Sequence, residues 1–221
     1  MGLTGILLAA GKSTRLGRDK LSVVMPDGRA LAAWSLEAAL GSTLERVICV
    51  VKPEDTLSWM PREWLSSASY AYQSEAKLLI SICDDYAMGM AHSLHCGLQT
   101  AKQYEPDGYM IMLADQPLIE TSQINEIKTI FQTHKQSDYV AATDCAGGKP
   151  PVAFRSHLLG QLLSLSGDEG ARRIMHNPQF TGTYVPFSAP SFWDADTEEE
   201  LERIVRHIEY DHSSRDTHPL K

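Results

Sequence analysis

The chain lacks the features that mark membrane, zinc and nucleic-acid proteins. No apolar run approaches the roughly 20 residues that a bilayer-spanning helix needs, and the first apolar run begins within a few residues of Met1, leaving no room for a secretory leader. The four cysteines, Cys49, Cys83, Cys96 and Cys145, form no C-x-x-C pair. Neither a zinc knuckle nor a disulfide framework is therefore expected. Cations are the minority charge, 20 Lys and Arg against 28 Asp and Glu for a net −8, so no broad positive field would draw in a nucleic acid. There is also no internal repeat and no Pro/Gly/Ser-rich linker. These absences predict a soluble, cytoplasmic protein with reduced thiols and no membrane or nucleic-acid partner. One domain is expected over residues 1–210, followed by a polar, disordered tail at 211–221.

What positive charge there is gathers in one loop. Ile6 to Ala10 is a short apolar run of the kind that forms a buried strand. It breaks at Gly11 into Gly11-Lys12-Ser13-Thr14-Arg15-Leu16-Gly17-Arg18-Asp19-Lys20. Two glycines, two hydroxyls and four cations after a buried strand describe a phosphate cradle: glycine lets backbone N–H groups approach an anion, and Lys and Arg neutralise it. Two familiar cradles fail. The P-loop requires glycine five residues before Gly11, and Ile6 stands there. The dinucleotide fingerprint G-x-G-x-x-G is absent, because the loop's glycines are Gly11 and Gly17.

The remainder alternates strand and helix signals. Helices are expected at 31–40, from Met90 to Ala101, at 122–131, at 158–163 and from 198 to 208. Strands are expected at 47–51, 78–83, 109–113, 139–143, from the loop at Gly147 through Phe154, and at 184–187. Residues 52–77 carry Trp59, Trp64, Tyr70 and Tyr72 as packing residues without a clear element. The pattern implies a single doubly wound, Rossmann-like α/β domain with a mostly parallel sheet.

Several positions carry chemistry in such a fold. Asp115, in Ala114-Asp115-Gln116-Pro117, follows a buried strand where α/β sheets collect ligands. It is either a hard ligand for a divalent cation or a turn-starting aspartate. Gly89 opens a helix whose first N–H groups could meet an anion, with Ser93 one turn on; the plainer alternative is a helix start with a core methionine. Asp168 is an N-cap for a short helix through Met175 or part of a loop at the site. Asp194 and Asp196 precede a capping box, Thr197 with Glu200, where they favour the helix N-terminus electrostatically.

The segment L-A-A-G-x-S-x-R-x-G-x-x-K from Leu8 to Lys20 resembles the signature loop of the MobA-like nucleotidyltransferases. Gly89-Met90 with Ser93-Leu94, the run L-x-G-D-x-G-A-R from Leu165 to Arg172, and Asp194-Ala195-Asp196-Thr197 resemble the molybdenum cofactor cytidylyltransferase branch. That resemblance implies a nucleotide-diphospho-sugar transferase type of fold and transfer of CMP from CTP to molybdenum-loaded molybdopterin. It implies Arg15, Lys20 and Asp115 as catalytic residues. Leu8, Ala9, Ala10, Gly11, Lys12, Ser13, Gly17, Gly89 and Ser93 would bind nucleotide, and Asp168 and Gly170 would lie at the acceptor. Mg²⁺ would sit on Asp115 and Asp196. A molybdenum hydroxylase apoenzyme of the xanthine dehydrogenase type is the implied partner. Ala114 stands where the family has glycine, which would turn a methyl toward the nucleotide, and Lys149-Pro150 departs from the branch's usual residues. A sugar phosphate as acceptor, or a non-catalytic cofactor carrier, are the competing readings.

Overall fold

A computed structural model describes residues 2–11, 18–70 and 75–216, the last five as backbone only. Lys12, Ser13, Arg15, Gly17 and Tyr72, all singled out above, lie outside the described residues. The elements in chain order are β1 (Leu3–Leu8), α1 (Leu31–Gly41), β2 (Arg46–Val51), α2 (Arg62–Ser67), β3 (Leu78–Ile82), α3 (Met90–Ala101), β4 (Gly108–Leu113), α4 (Thr121–Thr133), β5 (Tyr139–Thr143), β6 (Gly148–Arg155), α5 (Leu159–Leu163), α6 (Arg172–Met175), β7 (Gly182–Pro186) and α7 (Glu198–Asp216).

The strands form one seven-stranded sheet in the order β3-β2-β1-β4-β6-β5-β7. Only β6 runs against the others, antiparallel to both β4 and β5, so the sheet is mostly parallel as expected. Helices cover both faces because the strands are apolar on both sides, which a parallel sheet demands. In β2, Val47, Cys49 and Val51 face one layer while Ile48 and Val50 face the other. The first layer packs α1 and α4 through Leu36, Ala39, Ile124, Ile127 and Phe131. The second packs α3 and α5 through Leu94, Leu98 and Leu162. Full burial of each such side chain contributes about 1.5–3 kcal/mol relative to exposure.

α3 forms because Ala91, Leu94, Leu98 and Ala101 recur on one helical face, and all four are buried. It lies so close to the sheet that a β-carbon on Gly97 would meet Ile6 Cγ2 at 2.5 Å and Val50 Cγ2 at 2.9 Å. α4 starts with a capping box between Glu120 and Gln123. α7 packs on a separate small core made of Met25, Leu31, Ala195, Leu201, Ile204 and Ile208.

Two expectations change. The helix expected to finish at Ile208 continues to Asp216, so residues 211–216 are helical where a disordered tail was expected. Residues 52–77 hold the short α2 and an isolated parallel bridge from Ser69 to Leu79. Trp59 is buried as a packing residue, whereas Tyr70 is 57% exposed. Among the described residues no helix is long and apolar enough to cross a membrane. All four cysteines are free, although the sulfurs of Cys83 and Cys96 lie 2.7 Å apart.

Gly97→Ala is expected to lower the unfolding free energy by about 1–3 kcal/mol, the usual cost of overpacking, with the urea m-value unchanged. An unchanged denaturation midpoint would contradict this packing of α3 on β1 and β2.

Candidate active site

The carboxyl ends of β1 and β4 lie side by side, Leu8 paired with Leu113. The chain leaves both strands in register: Ala9 N donates to Val50 O at 2.8 Å and Ala114 N to Leu8 O at 3.1 Å. Ser35 of α1 fixes the second turn from beneath, its hydroxyl donating to Ala114 O at 3.1 Å. Asp115 is thereby held over the end of the strand while Ala114 is fully buried in the core. The Ala114 methyl therefore turns into the core and not toward a nucleotide, contrary to the expectation for that substitution. Gln116 is also buried, and its carboxamide oxygen has no hydrogen-bond partner.

Lys20 meets Asp115 from the other side. Its Nζ donates to Asp115 Oδ2 at 2.6 Å and to Asp196 Oδ1 at 2.6 Å. The three side chains are 10%, 19% and 32% exposed, so solvent screens the pairing little. Burial pulls the Lys20 ammonium toward deprotonation, but the two carboxylates outweigh it, and its pKa lies above the ordinary lysine value. Lys20 stays charged.

The local sequence explains this aim. Residues 20–22 form a 3₁₀ turn with Asp19 as its N-cap; Asp19 accepts from Leu21 N at 3.3 Å and from the Ser22 hydroxyl at 2.8 Å. Asp19 was missed in the sequence, although an aspartate three residues before a serine is a recognisable turn signal. Asp196 is fixed by the capping box of α7. Glu200 accepts from Thr197 N at 2.9 Å and from Asp196 N at 3.2 Å, and Glu200 N donates to Thr197 Oγ1 at 3.2 Å. Arg18, counted among the cradle cations, donates to Glu198 at 2.9 Å in an exposed pair.

A cleft of about 450 Å³ opens beside Lys20 and Asp115, a size suited to a small ligand. Its walls include Leu8, Ala9, Ala10 and Gly11 from the first loop, Gly89, Met90 and Ser93 from the start of α3, and Asp168. Sequence stretches read separately thus meet on one cavity. Tyr86 also lines it and was missed; its hydroxyl donates to Glu54 in the segment after β2. No sequence pattern marked that tyrosine.

The start of α3 and the loop at Asp168 turn out to be partners. Met90 N donates to Asp168 Oδ1 at 3.3 Å, and Ala91 N donates to Gly167 O at 3.0 Å. The first N–H groups of α3 are therefore engaged by the loop before α6, and the expectation that they stand open to an anion is corrected. Asp168 does not cap α6 either, whose N-cap is Ala171. Gly89 has φ 122°, and a β-carbon there would lie 2.3 Å from Gly167 O, so only glycine fits this junction. Gly170 sits beside Met90, its position for a β-carbon 3.7 Å from Met90 Sδ, outside the cleft lining. Lys149 is paired with Asp144 and lies over the Phe192 ring at 5.2 Å. His92 and His95 lie along α3 at a different groove, where His95 bonds to Leu162 O at 3.2 Å.

The donor set suits a hard cation. Asp115 and Asp196 converge on one point, and Mg²⁺ characteristically takes one or two carboxylates together with phosphate oxygens and water. Among the described residues no group of three His, Cys, Asp or Glu side chains forms a protein-only metal cage. Asp194 adds to the negative field: burial, followed by the charges of Asp115, Asp196 and Glu200, pushes its carboxyl pKa up.

Comparison with known proteins gives this geometry a family. A model of the MobA-like NTP transferase domain matches residues 5–182. The chain belongs to the MobA-like NTP transferase family. It is therefore a nucleotidyltransferase by family. It is similar to the purine catabolism protein PucB of Bacillus subtilis, 30% identical over 206 residues that cover 92% of this chain and 96% of PucB. Nicotine blue oxidoreductase of Paenarthrobacter nicotinovorans is 24% identical over 215 residues, covering 92% and 96%. The crystal structure of molybdopterin-guanine dinucleotide biosynthesis protein A from Archaeoglobus fulgidus shares the fold with a TM-score of 0.63 at 16% identity, covering 94% and 99%.

The raised Asp194 pKa has a consequence for stability. A carboxyl whose folded pKa exceeds its unfolded value costs stability as pH rises through that interval. Asp194→Asn is expected to raise the Tm at pH 7, with the gain closing as pH falls below the ordinary aspartate value of 3.8. A Tm gain independent of pH would show that Asp194 is not destabilised by its charge. At the junction, Gly89→Ala is expected to lower the Tm and raise the KM for nucleotide, and wild-type values for both would refute the tight α3 contact.

Proposed function

We propose that the protein transfers CMP from CTP to the phosphate of molybdenum-loaded molybdopterin, releasing pyrophosphate, during maturation of a xanthine-dehydrogenase-type molybdenum hydroxylase. The observation that carries the reading is the placement of Lys20, Asp115 and Asp196 beside a cleft walled by the first loop and the start of α3. The molybdopterin acceptor is supported by the fold shared with the Archaeoglobus protein. CTP is favoured over GTP by the resemblance of the Gly89–Leu94 and Leu165–Arg172 segments to the cytidylyltransferase branch.

In this reaction an acceptor phosphate oxygen attacks the α-phosphorus; one P–O bond forms as the bond to pyrophosphate breaks in line. Positioning and charge neutralisation then provide most of the rate. The backbone of Leu8 to Gly11, with Ser93, holds the nucleotide against the ends of β1 and β4. Lys20 lends its ammonium to the α-phosphoryl oxygens. Arg15, with Lys12, Ser13 and Gly17, is assigned to the triphosphate and its leaving pyrophosphate. Mg²⁺, held by Asp115 and Asp196, would supply further neutralisation of phosphate charge. Asp168 keeps the acceptor-side loop docked on α3, with Gly170 at its edge.

A second reading follows from the relative named as an oxidoreductase: a protein of this fold that binds its ligand without transferring a nucleotide. Pyrophosphate release separates the two. With molybdenum-loaded molybdopterin and Mg²⁺, release is expected from CTP in preference to GTP and ATP. Asp115→Asn should lower kcat/KM by about 10²-fold or more, the scale of losing one charge-stabilising group. Absence of pyrophosphate from all three nucleotides would reject the transferase reading of this chain.

A further inference from the structure

We propose that Lys20 is a resident cation holding the place of the metal, so that Lys20 and a divalent ion exclude one another between Asp115 and Asp196 until a nucleotide phosphate takes the ammonium away. The inference rests on the proposed metal placement at those two carboxylates.

The ammonium stands 2.6 Å from an oxygen of each aspartate. A Mg²⁺ ion binds its oxygen ligands at about 2.0–2.1 Å. An ion bridging those same two oxygens would therefore use the space that Nζ fills. Sharing it would put a single and a double positive charge within a few ångströms of one another, in a region that solvent screens little. One of the two has to leave.

Without a ligand, the balance favours the lysine. Two carboxylates brought this close repel, and an adjacent buried charge left without a partner is costly. Lys20 supplies the opposite charge from the Asp19-capped turn, its Nζ bonded to both carboxylates. The arrangement joins residues 95 and 176 positions apart from Lys20 before any substrate arrives.

Nucleotide reverses the balance. A triphosphate in the adjoining cleft presents anionic oxygens to the same ammonium, which lines that cleft together with Asp115. As the lysine side chain turns to phosphate, Nζ leaves the space between the two carboxylates, and the ion takes it. The lysine thereby sets an order of loading in which the metal is retained only with nucleotide, and the apo protein discriminates against free divalent ions.

Binding of Mn²⁺ alone, followed by the electron paramagnetic resonance signal of the free ion, tests this without catalysis. Wild type should bind weakly, Lys20→Arg should match it, and Lys20→Met should bind about tenfold tighter or more, because a full charge has left the space between the carboxylates. The gain should vanish in Lys20→Met combined with Asp115→Asn. Thermal melting gives an independent readout: Mn²⁺ should raise the Tm of Lys20→Met more than that of wild type. Lys20→Gln provides the same comparison if the methionine variant is poorly folded. If Lys20→Met and Lys20→Gln bind no tighter than wild type while Asp115→Asn abolishes binding, the exclusion is wrong and the metal site stands. If neither wild type nor the lysine variants bind Mn²⁺ at millimolar concentration, the metal placement itself falls.

Discussion

The bond of Lys20 to both Asp115 and Asp196 is the interaction on which the site depends. It ties the first loop, the end of the central strand β4 and the entry to the last helix into one point. None of the three segments could fix that point alone. The loop contributes a lysine on a capped turn, the strand end contributes a carboxylate anchored by Ser35, and α7 contributes a carboxylate set by its own capping box. The backbone beside each of the three side chains is held by local hydrogen bonds as well as by the long-range pairing. The pairing consequently joins segments that are each held locally, which keeps its entropic cost low.

The surrounding fold serves the same point. A parallel sheet with helices on both faces directs the carboxyl ends of its strands to one edge, and there the chain must leave the sheet as loops. β1 and β4 are neighbours in that sheet, so the two loops that follow them are neighbours as well. α3 lies against β1 and β2 at close range because Gly97 admits it, and that depth puts the start of the helix at the cleft wall. The loop at Gly167 and Asp168 then locks the helix end in place. A nucleotidyltransferase benefits from this rigidity, because its chemistry asks for positioned charge more than for covalent participation.

The family assignment and the geometry bear on different questions. Membership in the MobA-like NTP transferase family places the chain among nucleotidyltransferases. The relatives are named purine catabolism protein PucB and nicotine blue oxidoreductase, and a protein named for molybdopterin-guanine dinucleotide biosynthesis shares the fold. Substrate choice depends on a few hydrogen bonds from loops around the cleft.

The sequence by itself determined the local features. Apolar runs such as Val47–Val51 and the helical stripe from Ala91 to Ala101 follow from the two- and 3.6-residue periods of side-chain direction. The Thr197–Glu200 capping box was legible because its partners are three residues apart. Lys20, Asp115 and Asp196 were singled out by motif residues, one stretch at a time. Tertiary structure alone decided what these stretches do to each other. That Asp168 caps α3 and not the helix beside it, that Ala114 faces the core, that Tyr86 reaches the cleft, and that one ammonium bridges two distant carboxylates all depend on how strands are ordered and how deeply helices pack. Those are long-range contacts set by burial of side chains from distant parts of the chain, and no local spacing encodes them.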